Sequence, residues 1–139
     1  MLSKIAVAAT IALSLAFAGT AFAGKASSSS ITGPYVLTTS TLSGPVSTAS
    51  SAPRFGETVT FNVSTTQTGN PFVNLVCSGT EANPVGYDSW AAFWPSAGSF
   101  VLGSGGWTSG AADCTAKLVM YVNSSKVKVL ASTSFHVDA

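Results

Sequence analysis

The chain predicts an all-β sandwich of about seven strands held by one disulfide. Three observations predict it. Segments of alternating apolar and polar residues recur, separated by turn residues, with no helical period between them. Ser and Thr make up about 30% of the residues after position 23. That composition favours strands and turns, because Thr is β-branched and Ser competes with the helix backbone. Two cysteines, Cys77 and Cys114, allow one bridge if the chain is exported.

Export is read from the first segment. A basic start at Lys4 precedes an uncharged run from Ile5 to Phe17, and Ala21-Phe22-Ala23 is a small-x-small cleavage site. Residues 1–23 are therefore expected to be a cleavable signal peptide; the alternative is a retained single-span anchor. Residues 24–31, including the run "SSSS", read as a flexible polar leader. Residues 32–139 are the folded domain, and the product is expected to be secreted or held at the cell surface. Beyond position 23, five cations (Lys25, Arg54, Lys117, Lys126, Lys128) balance five acids (Glu57, Glu81, Asp88, Asp113, Asp138). Net charge near zero offers no steering field for nucleic acid or an anionic membrane. Neither partner is expected, nor is membrane insertion after cleavage. Self-association is compatible with so little charge repulsion.

The strands follow in order. "PYVLTTSTL" is the first, and "SGPVSTASSAPRFG" reads as a long connection punctuated by Pro45, Pro53 and Gly56. In "ETVTFNVSTT", Val59, Phe61 and Val63 share one face. Gly69-Asn70-Pro71 turns the chain into "FVNLVCSG", with Val73, Leu75 and Cys77 inward. "VGYDSWAAFWP" and the short "SFVLGS" come next, then the glycine-rich "GSGGWTSG", whose Trp107 is expected to plug the end of the core. "AADCTAKLVMYV" places Cys114, Ala116, Leu118 and Met120 inward. Asn123-Ser124-Ser125 turns into "KVKVLASTSFHV", where one register is expected from Val127 through Val129, Ala131, Thr133 and Phe135 to Val137, leaving Leu130 outside.

Strand count and turn spacing give a sandwich of immunoglobulin type. Only two strand-like segments separate the cysteines, so Cys77 fits the third strand and Cys114 the sixth. These are neighbours in one sheet of such a fold, so the bridge should tie adjacent strands rather than cross the core. Closing a loop of about 37 residues contributes about 4 kcal/mol in the chain-entropy model. Two free thiols are the alternative; the spacing is not C-x-x-C and no basic neighbour activates a thiolate.

"PRFGETVTFNVSTT", "NPFVNLVCSG" and "GGWTSGAADCTAKLVMY" followed by "VLASTSFHVDA" resemble bacterial secreted immunoglobulin-like domains of actinobacterial type, over about residues 53–139. The resemblance implies a sandwich, one disulfide and export, and carries no catalytic residues. The departure is "GTEANPVGYD" after the first cysteine, where a polar tail is expected.

No chemical signature stands out. Ser134, His136 and Asp138 share a strand face, but same-face neighbours stand about 6.5–7 Å apart and point in parallel, whereas a triad needs hydrogen-bonded contact. His136 is the single imidazole, and no calcium loop or phosphate loop is present. No metal or other cofactor is expected. Asp113 is expected to pair with a neighbour on the adjacent strand, such as Lys128. The remaining feature is the aromatic stretch "GYDSWAAFWPSAGSF". If 87–94 is extended, Trp90 and Trp94 share one face about 13 Å apart, and Tyr87 and Phe93 share the other. Only one pair can face the core. Tyr87, Trp90, Phe93 and Trp94 are thus the contact candidates of a non-enzymatic binding or adhesion module for a protein partner or an extracellular polysaccharide. The alternative is a structural component of a surface layer or matrix.

Overall fold

A computed structural model describes residues 28–40, 44–49, 52–79 and 85–139. The expected signal peptide and cleavage site, and residues 24–27 of the expected leader, lie outside the described residues. The strands are β1 (Ser29–Ser40), β2 (Gly44–Ala49), β3 (Thr58–Thr65), β4 (Phe72–Ser78), β5 (Tyr87–Ala92), β6 (Phe100–Val101), β7 (Ala112–Asn123) and β8 (Lys126–Val137). They form two four-stranded antiparallel sheets, ordered β2-β1-β3-β6 and β5-β4-β7-β8.

Two boundaries differ from the sequence reading. β1 starts at Ser29, so Ser29–Ile31 belong to a strand rather than to the leader; Ile31 pairs with Val63 and is buried. The expected connection contains β2, which returns as a hairpin on β1. Pro45 is tolerated there because β2 is an edge strand, where no inner ladder needs its missing N–H.

One core lies between the sheets. Val59 and Phe61 of β3, Val73 and Leu75 of β4, and Ala116 and Leu118 of β7 alternate inward and are buried, as their periodicity requires. Phe61 meets Phe100 edge-on at 6.0 Å and Phe135 at 5.9 Å. Trp107 closes one end, 1% exposed, with Phe55 and Tyr87 edge-on to its indole and its Nε1–H donated to the Gly110 carbonyl at 3.1 Å. Its role as a plug is as expected. The segment before β3 closes on the C-terminus, where Phe55 donates its N–H to the Asp138 carbonyl at 2.8 Å and Asp138 donates to Pro53 at 2.9 Å.

Cys77 and Cys114 stand directly opposite each other on β4 and β7, 4.1 Å apart between Cα atoms, and they are bridged. Such closeness is that of a non-hydrogen-bonded antiparallel pair. The tie between adjacent strands of one sheet is as expected; the strands are fourth and seventh in chain order because β2 adds one.

Three register shifts interrupt the ladders; one lies at the tip of the β7–β8 hairpin, between Tyr121 and Asn123, and the other two shift the alternation within the sheets. In β1, Thr32 pairs with Asn62 but Tyr35 with Thr60, so one extra residue is absorbed around Gly33. Gly33 has φ +126°, and a Cβ there would stand 3.0 Å from the Phe61 ring and 3.2 Å from the Thr60 carbonyl. Only glycine meets both demands. Ile31 and Val36, five positions apart, can therefore both face inward. In β8, Leu118 pairs with Ala131 and Val119 with Val129, so Leu130 is the extra residue. The expected single register of β8 fails at this point. Leu130 packs against the core, while Val127 and Val129 turn outward, 37% and 52% exposed.

Two outcomes follow. Replacing both cysteines by alanine should lower unfolding free energy by up to about 4 kcal/mol, read from urea midpoints, and intact protein should gain two hydrogens in mass on reduction. The bulge predicts that Leu130→Ser costs about 1–2 kcal/mol and Val129→Ser about 0.5 kcal/mol or less, the reverse of what an unbroken register requires.

Candidate functional site

The outer face of the β5-β4-β7-β8 sheet is set by its inner one. With Cys77 and Cys114 inward, alternation sends Phe72, Asn74 and Val76 of β4, and Asp113, Thr115, Lys117, Val119 and Tyr121 of β7, to the outside. Cross-strand register then arranges them in rows. Ala92, Phe72, Val119 and Val129 make one row. Trp90, Asn74, Lys117 and Ser132 make the next, and Asp88, Val76, Thr115 and Ser134 the third.

β5 resolves which aromatics face in. Tyr87 and Phe93 are core residues, 5% and 6% exposed, and are corrected as contact candidates. Tyr87 lies edge-on to Trp107, and Phe93 stacks on Phe100 at 6.4 Å. The pull of the Trp107 plug on one side of β5 leaves the other side outward. Trp90 and Trp94 are accordingly exposed, 45% and 62%. They do not form one flat platform, because the strand ends at Ala92. Phe93 donates its N–H to the Pro71 carbonyl at 2.9 Å, and Trp94 continues past the edge. Gly98 lets the following loop fold back on β5: a Cβ there would stand 2.6 Å from the Ala91 Cβ and 2.7 Å from the Ala92 carbonyl.

Trp90 sits in a cluster that the sequence reading did not assemble. Its ring lies 6.4 Å from that of Tyr121 with 32° between planes, and Phe72 meets Tyr121 edge-on at 5.1 Å. Beneath them Val119 is 1% exposed although it is not part of the inter-sheet core. The outer face thus has its own small apolar cluster. It runs onto a projecting ribbon, since β4 ends opposite Val119 and the β7–β8 hairpin continues beyond it. Tyr121, Val122, Val127 and Val129 are exposed there. Asn123 closes the hairpin by accepting the Ser125 N–H at 3.0 Å. Lys128 Nζ donates to Gln67 Oε1 at 3.0 Å, and Gln67 Nε2 donates to Ser29 Oγ at 3.2 Å, which tethers the ribbon to the other sheet. The signal for this cluster was present as Val119 and Tyr121, two apolar residues in phase with Lys117 on the outward face.

Polar groups flank the rings. Asn74, 7% exposed, donates its Nδ2–H to Asp88 Oδ1 at 2.6 Å and to the Ser89 carbonyl at 3.3 Å. Lys117 lies across β4 from Trp90 and has no carboxylate partner among the described residues. Trp94 instead lines a cleft of about 300 Å³ with Val63 and Thr65 of β3 and the turn residues Thr68, Gly69 and Pro71.

At the far end of the face, His136 Nδ1 and Asp113 Oδ1 are 2.8 Å apart, and His136 Nε2 lies 3.7 Å from Asp138. Asp113 therefore pairs with a neighbour on the adjacent strand as expected, but that neighbour is His136, opposite it in register, and not Lys128, which stands opposite Met120 toward the other end of β7. Ser134 Oγ bonds Thr115 Oγ1 at 3.0 Å, so its hydrogen-bond partner is not His136. Among the described residues, no cluster of three potential metal ligands is present, and no helix is long and apolar enough to cross a membrane.

No protein-family model matches the chain, and neither a curated protein nor a solved structure matches it.

Two indoles outside and one inside predict the quenching pattern. Acrylamide should reach Trp90 and Trp94 in the native protein and spare Trp107. Native Trp107→Phe should therefore be almost fully quenchable, while a Trp90→Phe/Trp94→Phe double variant should resist quenching until it is unfolded.

Proposed function

We propose that the protein is an exported immunoglobulin-like module that binds without catalysis, using the outer face of the β5-β4-β7-β8 sheet as its contact surface. The observation that carries this reading is the half-exposed Trp90–Tyr121–Phe72 cluster over a buried Val119, on a face the core does not need. Contiguous exposed apolar surface rimmed by polar groups is typical of interaction sites. The target is a protein partner or an extracellular polysaccharide.

Strand order supports the immunoglobulin-like assignment. The chain crosses between sheets at β3–β4, β5–β6 and β6–β7, and pairs β1 and β6 with β3, and β5, β7 and β8 around β4–β7. That connectivity matches a sandwich whose fourth strand has moved to the second sheet. The β1–β2 hairpin is an addition, and the bridge lies within a sheet instead of between sheets. A buried disulfide suits an oxidising compartment, in line with the signal peptide read at residues 1–23 and with the resemblance to bacterial secreted domains. The exposed valines of the projecting hairpin favour a second reading, a structural component of a surface layer or matrix.

The test is retention of the purified chain on cell-envelope material. Trp90→Ala and Tyr121→Ala should each cut retention about tenfold while the urea midpoint changes little. Equal retention of both variants and the parent would remove this face as the contact surface. Concentration-dependent assembly without retention on envelope material would favour the structural reading.

A further inference from the structure

We infer that the ligand of this face is a neutral polysaccharide, stacked on Trp90 and Tyr121 and held through its hydroxyls by Asn74, Asp88 and Lys117. The inference rests on the binding reading above and names its ligand class. A sugar ring presents an apolar face of C–H groups and a rim of hydroxyls. It needs an aromatic plane and, beside that plane, groups that both donate and accept.

The rows supply both. Trp90 presents nearly half its surface, and Tyr121 extends the aromatic surface 6.4 Å further along the face. In the row of Trp90, Asn74 is buried and held by Asp88, so its orientation is fixed before any ligand arrives. Both Asn74 Nδ2 bonds are donated within the sheet, and its Oδ1 receives no donor from the described residues. Asp88 is exposed and accepts, and Lys117 donates. A pre-oriented amide, one acid and one amine around an aromatic plane read hydroxyls.

Charge sets the class of glycan. The face carries Asp88 and Lys117 together, one of each sign, and so offers no net attraction to sulfated or uronic acid chains. Shape sets the mode. The rings lie on an open sheet rather than in a pocket, which accepts the interior of a chain and not only its end. A protein strand is less suited at the β8 edge of the sheet. Lys126 and Lys128 lie along the β8 edge, the usual defence against strand addition. Trp90 does not line the cleft at Trp94, so the surface it shares with Tyr121 lies outside that concavity and offers less to a protein anchor residue.

The experiment measures depletion of the purified chain by insoluble cellulose, chitin, β-1,3-glucan and mannan, with tryptophan emission read against soluble fragments of each. Retention on at least one of these is expected, unchanged by 0.5 M salt. Trp90→Ala and Asp88→Ala should each weaken it about tenfold, Trp90→Phe less, and Val101→Ser on the opposite sheet not at all. Circular dichroism and urea midpoints check that each variant is folded. Absence from all four glycans, with retention on envelope material that protease treatment abolishes, would overturn the glycan inference and leave the binding reading standing on a protein target. Binding only to anionic glycans at low salt would overturn it likewise. A dimer by sedimentation, lost in Trp90→Ala, without glycan retention would identify a second copy as the occupant. No retention on any material and no self-association would remove both readings.

Discussion

The pairing of β4 with β7, pinned by Cys77 opposite Cys114, fixes the orientation of nearly everything else in the second sheet. Strand side chains have a period of two, so one anchored pair sets the face of every residue along both strands. Because both cysteines point into the core, Phe72 and Asn74 must point out, and so must Lys117, Val119 and Tyr121. β5 and β8 inherit the same parity through their registers with β4 and β7. A slip of one residue between β4 and β7 would break the bridge and turn the inward residues of one strand, Leu75 or Leu118 among them, into solvent, so it is penalised twice.

The aromatic stretch of β5 divides under the same constraint. Tyr87 stands opposite Cys77 and is drawn inward against Trp107. Trp90, three positions on, must then lie outside. No local property of the tryptophan decides this; its size would serve the core as well. The indole is exposed because the register leaves it no other side, and Phe72, Val119 and Tyr121 give it neighbours there. An exposed aromatic surface on a rigid sheet costs little extra order to present, because its rings are already held by one another.

Much of this was legible in the sequence. The alternation of Val59, Phe61 and Val63, the inward phase of Val73, Leu75 and Cys77, and the within-sheet placement of the bridge all follow from period and spacing. The division of Tyr87 and Phe93 from Trp90 and Trp94 was legible as a choice, but not its direction, which depends on the partner across the sheet and on the Trp107 plug. β2 was missed because Gly44 and Pro45 at its start read as turn residues, whereas an edge strand tolerates them. Val127 and Val129 were misplaced because a bulge inserts one residue without any residue type that marks it. Leu130 looks like its neighbours in sequence, and the flip becomes apparent only when its partners on β7 are known.

That bulge also has a consequence for the site. Without it, Val127 and Val129 would face inward and Lys128 outward, placing a cation opposite Tyr121 where Val127 now stands. The extra residue at Leu130 instead directs the two valines to the same face as Val119 and Tyr121 and sends Lys128 toward Gln67. The apolar part of the outer face is thereby lengthened along the hairpin, and the charged groups are confined to Asp88 and Lys117 beside Trp90, with Asp113 and His136 at the far end. The composition of this surface is therefore a product of register as much as of sequence. The same side chains on an unbroken strand would make a face with a positive charge at its centre, suited to a different class of partner.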